Sequence, residues 1–185
     1  MKRTGQILFH SHKDPNEIIE YDDYAEIILY DKNNNEIART LIDLDDIEKV
    51  SKYKWHIQKG YVQNSKTRYM LHRFVMNCPD DMIVDHINRN KLDNRKSNLR
   101  ICTNTENNRN MPRRSNVNSK ERGVYQSSKS GWVARIKVDA KDIYLGTFKS
   151  IEEAIEARHK AEIEYFGEFA PHLNDDNDND IIKNL

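Results

Sequence analysis

The chain has 185 residues, 32% of them charged and 37% hydrophobic, which leaves room for one ordinary domain or two small ones around a modest core. No run approaches the ~18 apolar residues of a membrane-spanning helix, residues 1–10 lack a secretory-type apolar stretch, and two cysteines without a CxxC pair argue against a structural zinc knot. The formal net charge of zero is unevenly spread: residues 1–85 are net −3, residues 86–137 carry 13 Lys/Arg against Asp93, Glu106 and Glu121 for a net +10, and residues 138–185 are net −7. A basic block between acidic flanks is the footprint expected where phosphates are met.

Residues 24–30 and 36–42 read as strands around the turn-forming run 31–35, and residues 43–50 as a short helix. Residues 55–57 and 60–62 form a second small hairpin, residues 68–76, with His72, a helix or a strand, and Pro79-Asp80-Asp81 a turn. Residues 82–84 are a short strand ending in Asp85-His86. A polar loop follows over 88–97, and residues 99–102 return as a strand. Thr103 and Glu106 have capping-box spacing, so a helix containing Asn107 is expected to begin there and to end by Pro112.

Residues 110–122 have almost no apolar content and read as an extended basic linker. Three short strands follow at 123–125, 132–138 and 143–148. The middle one alternates, with Trp132, Ala134, Ile136 and Val138 on one face and Val133, Arg135 and Lys137 on the other. Ser150 and Glu153 form a second capping box, opening a helix on which Ala154, Ala157, Ala161 and Tyr165 are expected to share a face and which Gly167 closes. The tail over 174–180 is acidic and reads as disordered.

Chemistry concentrates at Asp85-His86. A phosphodiester is cut most simply when a divalent cation meets the phosphate and leaving oxygens while a neutral imidazole deprotonates water. Hard oxygen ligands suit such a cation, and Asp85 and Asn107 offer them. His86, adjacent on the strand but on the other side of the pleat, is placed to be the base.

Val84-Asp85-His86, Ser97-Asn98-Leu99 and the run from Cys102 to Asn108 resemble the HNH (ββα-metal) nucleases, in particular phage and intron-encoded homing endonucleases. The likeness lies in His86, Asn98 twelve residues later and Asn107 nine beyond that, and Leu71-His72-Arg73-Phe74-Val75 resembles the lead-in of that subfamily. It implies Asp85 as a metal ligand, His86 as general base, Asn98 tying the catalytic loop together by side-chain hydrogen bonds, and Asn107 as a ligand where many members have histidine. One Mg2+, with Mn2+ able to substitute and no zinc, is implied. Residues 122–170 resemble the AP2-type DNA-binding domain, which implies that the sheet rather than the acidic helix (Glu152, Glu153, Glu156, Glu162, Glu164) meets the major groove. Trp132 is left open between core and contact.

The expected fold is α+β: an N-terminal β-rich region (1–67) able to add DNA contacts, an HNH nuclease module (68–110), a basic linker (111–121), an AP2-like three-stranded antiparallel sheet packed on one helix (122–170) and an acidic tail (171–185). Candidate DNA contacts are Arg89, Lys91, Arg95, Lys96, Arg109, Arg113, Arg114, Lys120, Arg122, Tyr125, Lys129, Arg135 and Lys137, with Tyr144 beside them. The expected function is metal-dependent, site-specific cleavage of double-stranded DNA of the homing type, in the cytoplasm of a bacterial or phage-infected cell, with no membrane partner. One chain carries one site, so monomer and homodimer stay open. The alternatives are a restriction-type nuclease with a short palindromic site and an inactive DNA-binding regulator.

Overall fold

Ile27, Ile28 and Leu29 crowd one short run while Asp31 supplies the reversal that follows it. In the computed structural model, which describes residues 14–110, 121–127 and 131–174, the Asp31 carboxylate accepts from the backbone amides of Asn33 and Asn35, both at 2.8 Å, and Asn34 takes a left-handed conformation. The turn joins β2 (Ala25–Tyr30) to β3 (Glu36–Ile42), and β1 (Ile18–Glu20) pairs with the other edge of β2. A 3-10 turn leads into α1 (Ile47–Val50). Lys59 and Gly60, both at positive φ, make the tight turn between β4 (Trp55–Gln58) and β5 (Tyr61–Asn64). α2 (Leu71–Val75) resolves the ambiguous stretch as helix.

β6 (Ile83–His86) and β7 (Leu99–Cys102) pair antiparallel, with Asp85 opposite Arg100 and His86 opposite Leu99. The chain divides into two units, residues 1–103 and 104–185. Within the first, one core runs from Ala25, Ile27 and Leu29 of β2 through Trp55, Val62 and Leu71 to Val84 and Leu99. The N-terminal strands and the β6–β7 hairpin are therefore parts of one packed body. The loop between β6 and β7 is docked on the edge of β3: the Leu41 amide donates to the Leu92 carbonyl at 2.8 Å, and the Asn94 amide to the Leu41 carbonyl at 2.9 Å. Cys78 and Cys102 are buried and unbridged.

The second unit contains α3 (Asn104–Arg109), which starts directly after Thr103, and a sheet of β8 (Val124–Gln126), β9 (Trp132–Val138) and β10 (Lys141–Phe148) in the order β10-β9-β8. α4 (Ile151–Phe166) packs on this sheet. Ser150 caps it by accepting from the Glu153 amide at 3.2 Å, and the Glu153 carboxylate reaches back to the Lys149 amide.

The buried side of α4 differs from the expected one. Ala154, Arg158, Ala161, Glu162 and Phe166 are buried, whereas Ala157 is only half-buried and Tyr165 is exposed. Arg158 and Glu162 are four residues apart, so they pair at 3.0 Å and enter the core as a neutralised couple. Glu162 is accordingly no part of an acidic outer surface. Trp132 packs against Val124, Ala134 and Ala154 and so belongs to the core side. Most of the expected linker, including Arg113, Arg114 and Lys120, lies outside the described residues, as do Lys129 and most of the acidic tail. No helix among the described residues is long and apolar enough to cross a membrane.

Candidate active site

Successive residues of a strand face opposite ways, so Asp85 and His86 at the end of β6 serve different surroundings. Asp85 meets its cross-strand neighbour: Arg100 Nε and Nη2 donate to Asp85 Oδ2 at 2.9 and 2.7 Å, and both side chains are buried. His86, only 5% exposed, turns toward the loop, where its Nε2 lies 3.3 Å from Asn94 Oδ1.

The orientation of that contact follows from β3. The Thr40 hydroxyl gives its proton to the Leu92 carbonyl at 2.8 Å, so toward Asn94 it acts as acceptor. Asn94 therefore turns its amide nitrogen to Thr40, at 2.7 Å, and its carbonyl oxygen to His86. A carbonyl accepts only, so Nε2 of His86 bears a proton, and in the neutral ring Nδ1 carries the lone pair. A fully buried threonine 46 positions before the histidine thus sets its tautomer. Neither Thr40 nor Asn94 stood out in the sequence, because nothing local links them to residue 86.

Asn98 closes the same loop. Its Oδ1 accepts from the Asn88 amide at 2.9 Å, its Nδ2 donates to the Asp93 carbonyl at 2.9 Å, and its own carbonyl accepts from the Ile87 amide at 2.8 Å. From α2, His72 brings its ring edge-on to His86, with centroids 5.1 Å apart, and Tyr61 of β5 lies 5.5 Å from His72 and 6.1 Å from His86. His72 is buried at the site, and its Nδ1 has no hydrogen-bond partner among the described residues.

Burial holds His72 at a pKa of about 3, assisted by the neighbouring His86 and Arg73. Burial also lowers His86, against Asn94, Asp85 and Asp93, which favour the charged ring, and with Lys91, which opposes it. Because the folded-state pKa of His72 lies below its ordinary value of 6.5, the associated stability is complete above pH 6.5 and drains away as pH falls toward 3. His86 titrates in the same direction, so the difference between the parent and His72→Phe isolates His72. The acid limb of unfolding free energy should be shallower in the variant by up to about 1.4 kcal/mol per pH unit. Urea denaturation at pH 7.5, 5.5 and 4.5 checks this, and parallel limbs would show that His72 titrates normally.

The loop cations divide sharply. Arg95 Nε and Nη2 bind the Asp93 carboxylate at 2.8 Å each. The Lys96 ammonium binds Asp45 at 2.7 Å and lies 3.2 Å from Asp46, while the Lys96 amide donates to Asp43 at 2.7 Å. Both are candidate DNA contacts; Arg95 is paired within the loop, and Lys96 ties the loop to the 43–46 segment. The acidic group Asp43, Asp45 and Asp46, spaced closely enough to hold a cation, is tied to Lys96 and, through Asp46, to Lys49. Arg89 is half-buried at a turn position of positive φ, and exposed Lys91 extends over the Tyr61 ring.

In the second unit, Asn107 is half-buried on α3. The outer face of the sheet carries Arg135 and Lys137, with Tyr144 opposite Arg135 and Tyr125 opposite Val133. Arg135, Lys137, Tyr125 and Tyr144 are all exposed. Arg109, Arg122, Arg135 and Lys137 line one cleft of about 660 Å³, in which Arg109 lies 3.6 Å from Asp139 and over the Phe166 ring.

Residues 69–109, which hold the hairpin, its loop and α3, match the family model of HNH endonucleases. The chain is also 34% identical over 137 residues to an uncharacterized HNH endonuclease of Acanthamoeba polyphaga mimivirus, an alignment covering 70% of this chain and 71% of that relative. No solved structure matches. The chain belongs to the HNH endonuclease family. It is accordingly a nuclease that hydrolyses phosphodiester bonds, its family implies a DNA substrate, and HNH nucleases generally use a divalent metal.

Proposed function

We propose that this chain is a site-specific, homing-type endonuclease cutting double-stranded DNA, with His86 as general base and Asp85 and Asn107 as ligands of one Mg2+. The observation that carries the reading is the Thr40–Asn94–His86 chain of hydrogen bonds, which holds the imidazole by its Nε2–H, while burial disfavours the charged ring and so favours a lone pair on Nδ1. Nδ1 takes a proton from water as the water oxygen bonds to phosphorus. The P–O3′ bond then breaks, giving a 5′-phosphate and a 3′-hydroxyl that takes its proton from solvent. Asn98 holds the loop that carries Asn94 and so keeps the base in place.

The donor chemistry fits a hard cation. Asp85 supplies a carboxylate and Asn107 an amide oxygen, both hard donors of the kind such a cation takes. When bound, the cation supplies charge neutralisation at the scissile phosphate and the leaving oxygen.

The second unit is proposed as the DNA reader, an AP2-like sheet presenting Arg135, Lys137, Tyr125 and Tyr144 to the groove, with Arg109 and Arg122 on phosphate. Arg135→Ala and Lys137→Ala should each reduce the salt slope of DNA binding by about 0.9 if they meet phosphate, or relax sequence preference if they meet bases. Arg95→Ala, whose guanidinium already neutralises Asp93, should leave the slope as it is. Gel retardation across a salt series reads all three.

The overall test incubates supercoiled plasmids bearing genomic inserts with protein in Mg2+, Mn2+ or EDTA. Metal-dependent nicked or linear product supports the nuclease and reports strand count. Retarded but intact DNA with every metal and insert would point to a binding protein whose core is inactive, the asparagine at 107 being the feature responsible.

A further inference from the structure

Residues 91–100, from the loop into β7, present four cations, and their surroundings separate them. Arg95 neutralises Asp93, Lys96 neutralises Asp45, and Arg100 neutralises Asp85. Among the described residues, Lys91 makes no ion pair with a carboxylate. Its ammonium lies 4.2 Å from the centre of the Tyr61 ring, an attraction that aims the charge without cancelling it.

Two contact paths fix Lys91 relative to His86. Through the side chain, Lys91 rests on Tyr61, whose ring lies 6.1 Å from that of His86. Through the backbone, the Lys91 carbonyl accepts from Asn94 Nδ2 at 3.4 Å, and the Oδ1 of the same amide faces His86. The tight turn before Tyr61 shapes this seat. Gly60 sits at φ +80, and a Cβ built there would lie 3.6 Å from Lys91 Cδ and 3.9 Å from its Nζ. The result is an exposed, uncancelled cation held beside a buried base, the arrangement needed where negative charge grows on a phosphate under attack.

We propose that Lys91, seated on Tyr61, is a catalytic residue that contacts the scissile phosphodiester and stabilises the charge developing on its non-bridging oxygens. The inference rests on the nuclease reading above and names the cation that reading leaves open. Tyr61 is the corresponding positioning residue: it touches Lys91, and its removal acts through that lysine.

The test uses the full chain with plasmid substrate, comparing cleavage rate at saturating protein with the Kd from gel retardation for the parent, Lys91→Met, Lys91→Arg, Tyr61→Leu, His86→Ala and, as a control for loss of one exposed charge, Lys52→Met. Lys91→Met should slow cleavage on the order of 10²-fold, with Kd changing less than about threefold. Lys91→Arg should recover most of the rate, Tyr61→Leu should fall between, and Lys52→Met should behave as the parent does. Equal losses in rate and affinity for Lys91→Met would reduce Lys91 to an ordinary backbone contact and overturn the proposal, as would an unchanged rate. A parent that cuts no DNA removes the nuclease reading and this inference together, and one that cuts as fast with His86→Ala removes His86 as the base and with it the argument that places Lys91 beside the reacting phosphate. A cutting parent with an unaffected Lys91→Met removes the inference alone.

Discussion

His86→Ala should slow DNA cleavage by about 10³-fold while leaving gel retardation within about threefold of the parent, because a general base acts on the reacting water and not on the duplex as a whole. The ring is buried against His72 and Tyr61, so a modest drop in stability accompanies the loss. Thermal melting of the variant separates that drop from the chemistry. Asn94→Ala should lose about 10- to 10²-fold with His86 still present, because the imidazole then has no carbonyl fixing its tautomer. Retention of the parent rate by His86→Ala, measured as first-order loss of supercoiled plasmid, would remove His86 from the mechanism. An unaffected Asn94→Ala would leave His86 as the base but oriented by something else.

How far such a site can be read from residues alone depends on sequence distance. The β6–β7 hairpin, the Asp85-His86 dipeptide at its end and the start of α3 after Thr103 are short-range features, set by alternation and capping chemistry within a few residues. The same locality made β2, β3, β4, β5 and the C-terminal sheet legible. Thr40 acting on Asn94 across 54 positions, and Lys96 anchored on Asp45 across 51, depend on the loop docking along β3, which no periodicity announces. For the same reason Lys96 looked like a free cation in a basic block until the carboxylate of Asp45 was in place. Arg158 and Glu162 are a different case. Their i,i+4 spacing was visible, but spacing alone does not distinguish a surface pair from a buried one, and here the small side chains of Ala154 and Ala161 let the helix approach the sheet closely enough to enclose both.

The largest stability effect should come from the Asp85–Arg100 pair. Both side chains are more than nine-tenths buried, and Arg100 brings two N–H donors to one oxygen of Asp85. Arg100→Met keeps the stem volume and removes the guanidinium, so the buried carboxylate loses its counter-charge and both bonds. The expected loss is about 3–5 kcal/mol, since a buried charge stripped of its partner is far costlier than the intact pair is favourable. For a unit of about 100 residues that corresponds to a fall of roughly 15–30 °C in melting temperature. Replacing both partners, as Asp85→Leu with Arg100→Met, should recover most of this stability, because two apolar groups of similar volume leave no charge to solvate. The double variant should nonetheless cut no DNA, having lost the carboxylate proposed to hold the metal. Chemical denaturation of the parent, both single variants and the double closes the cycle. An Arg100→Met chain within 1 kcal/mol of the parent would mean that Asp85 reaches solvent or another donor when the arginine is gone.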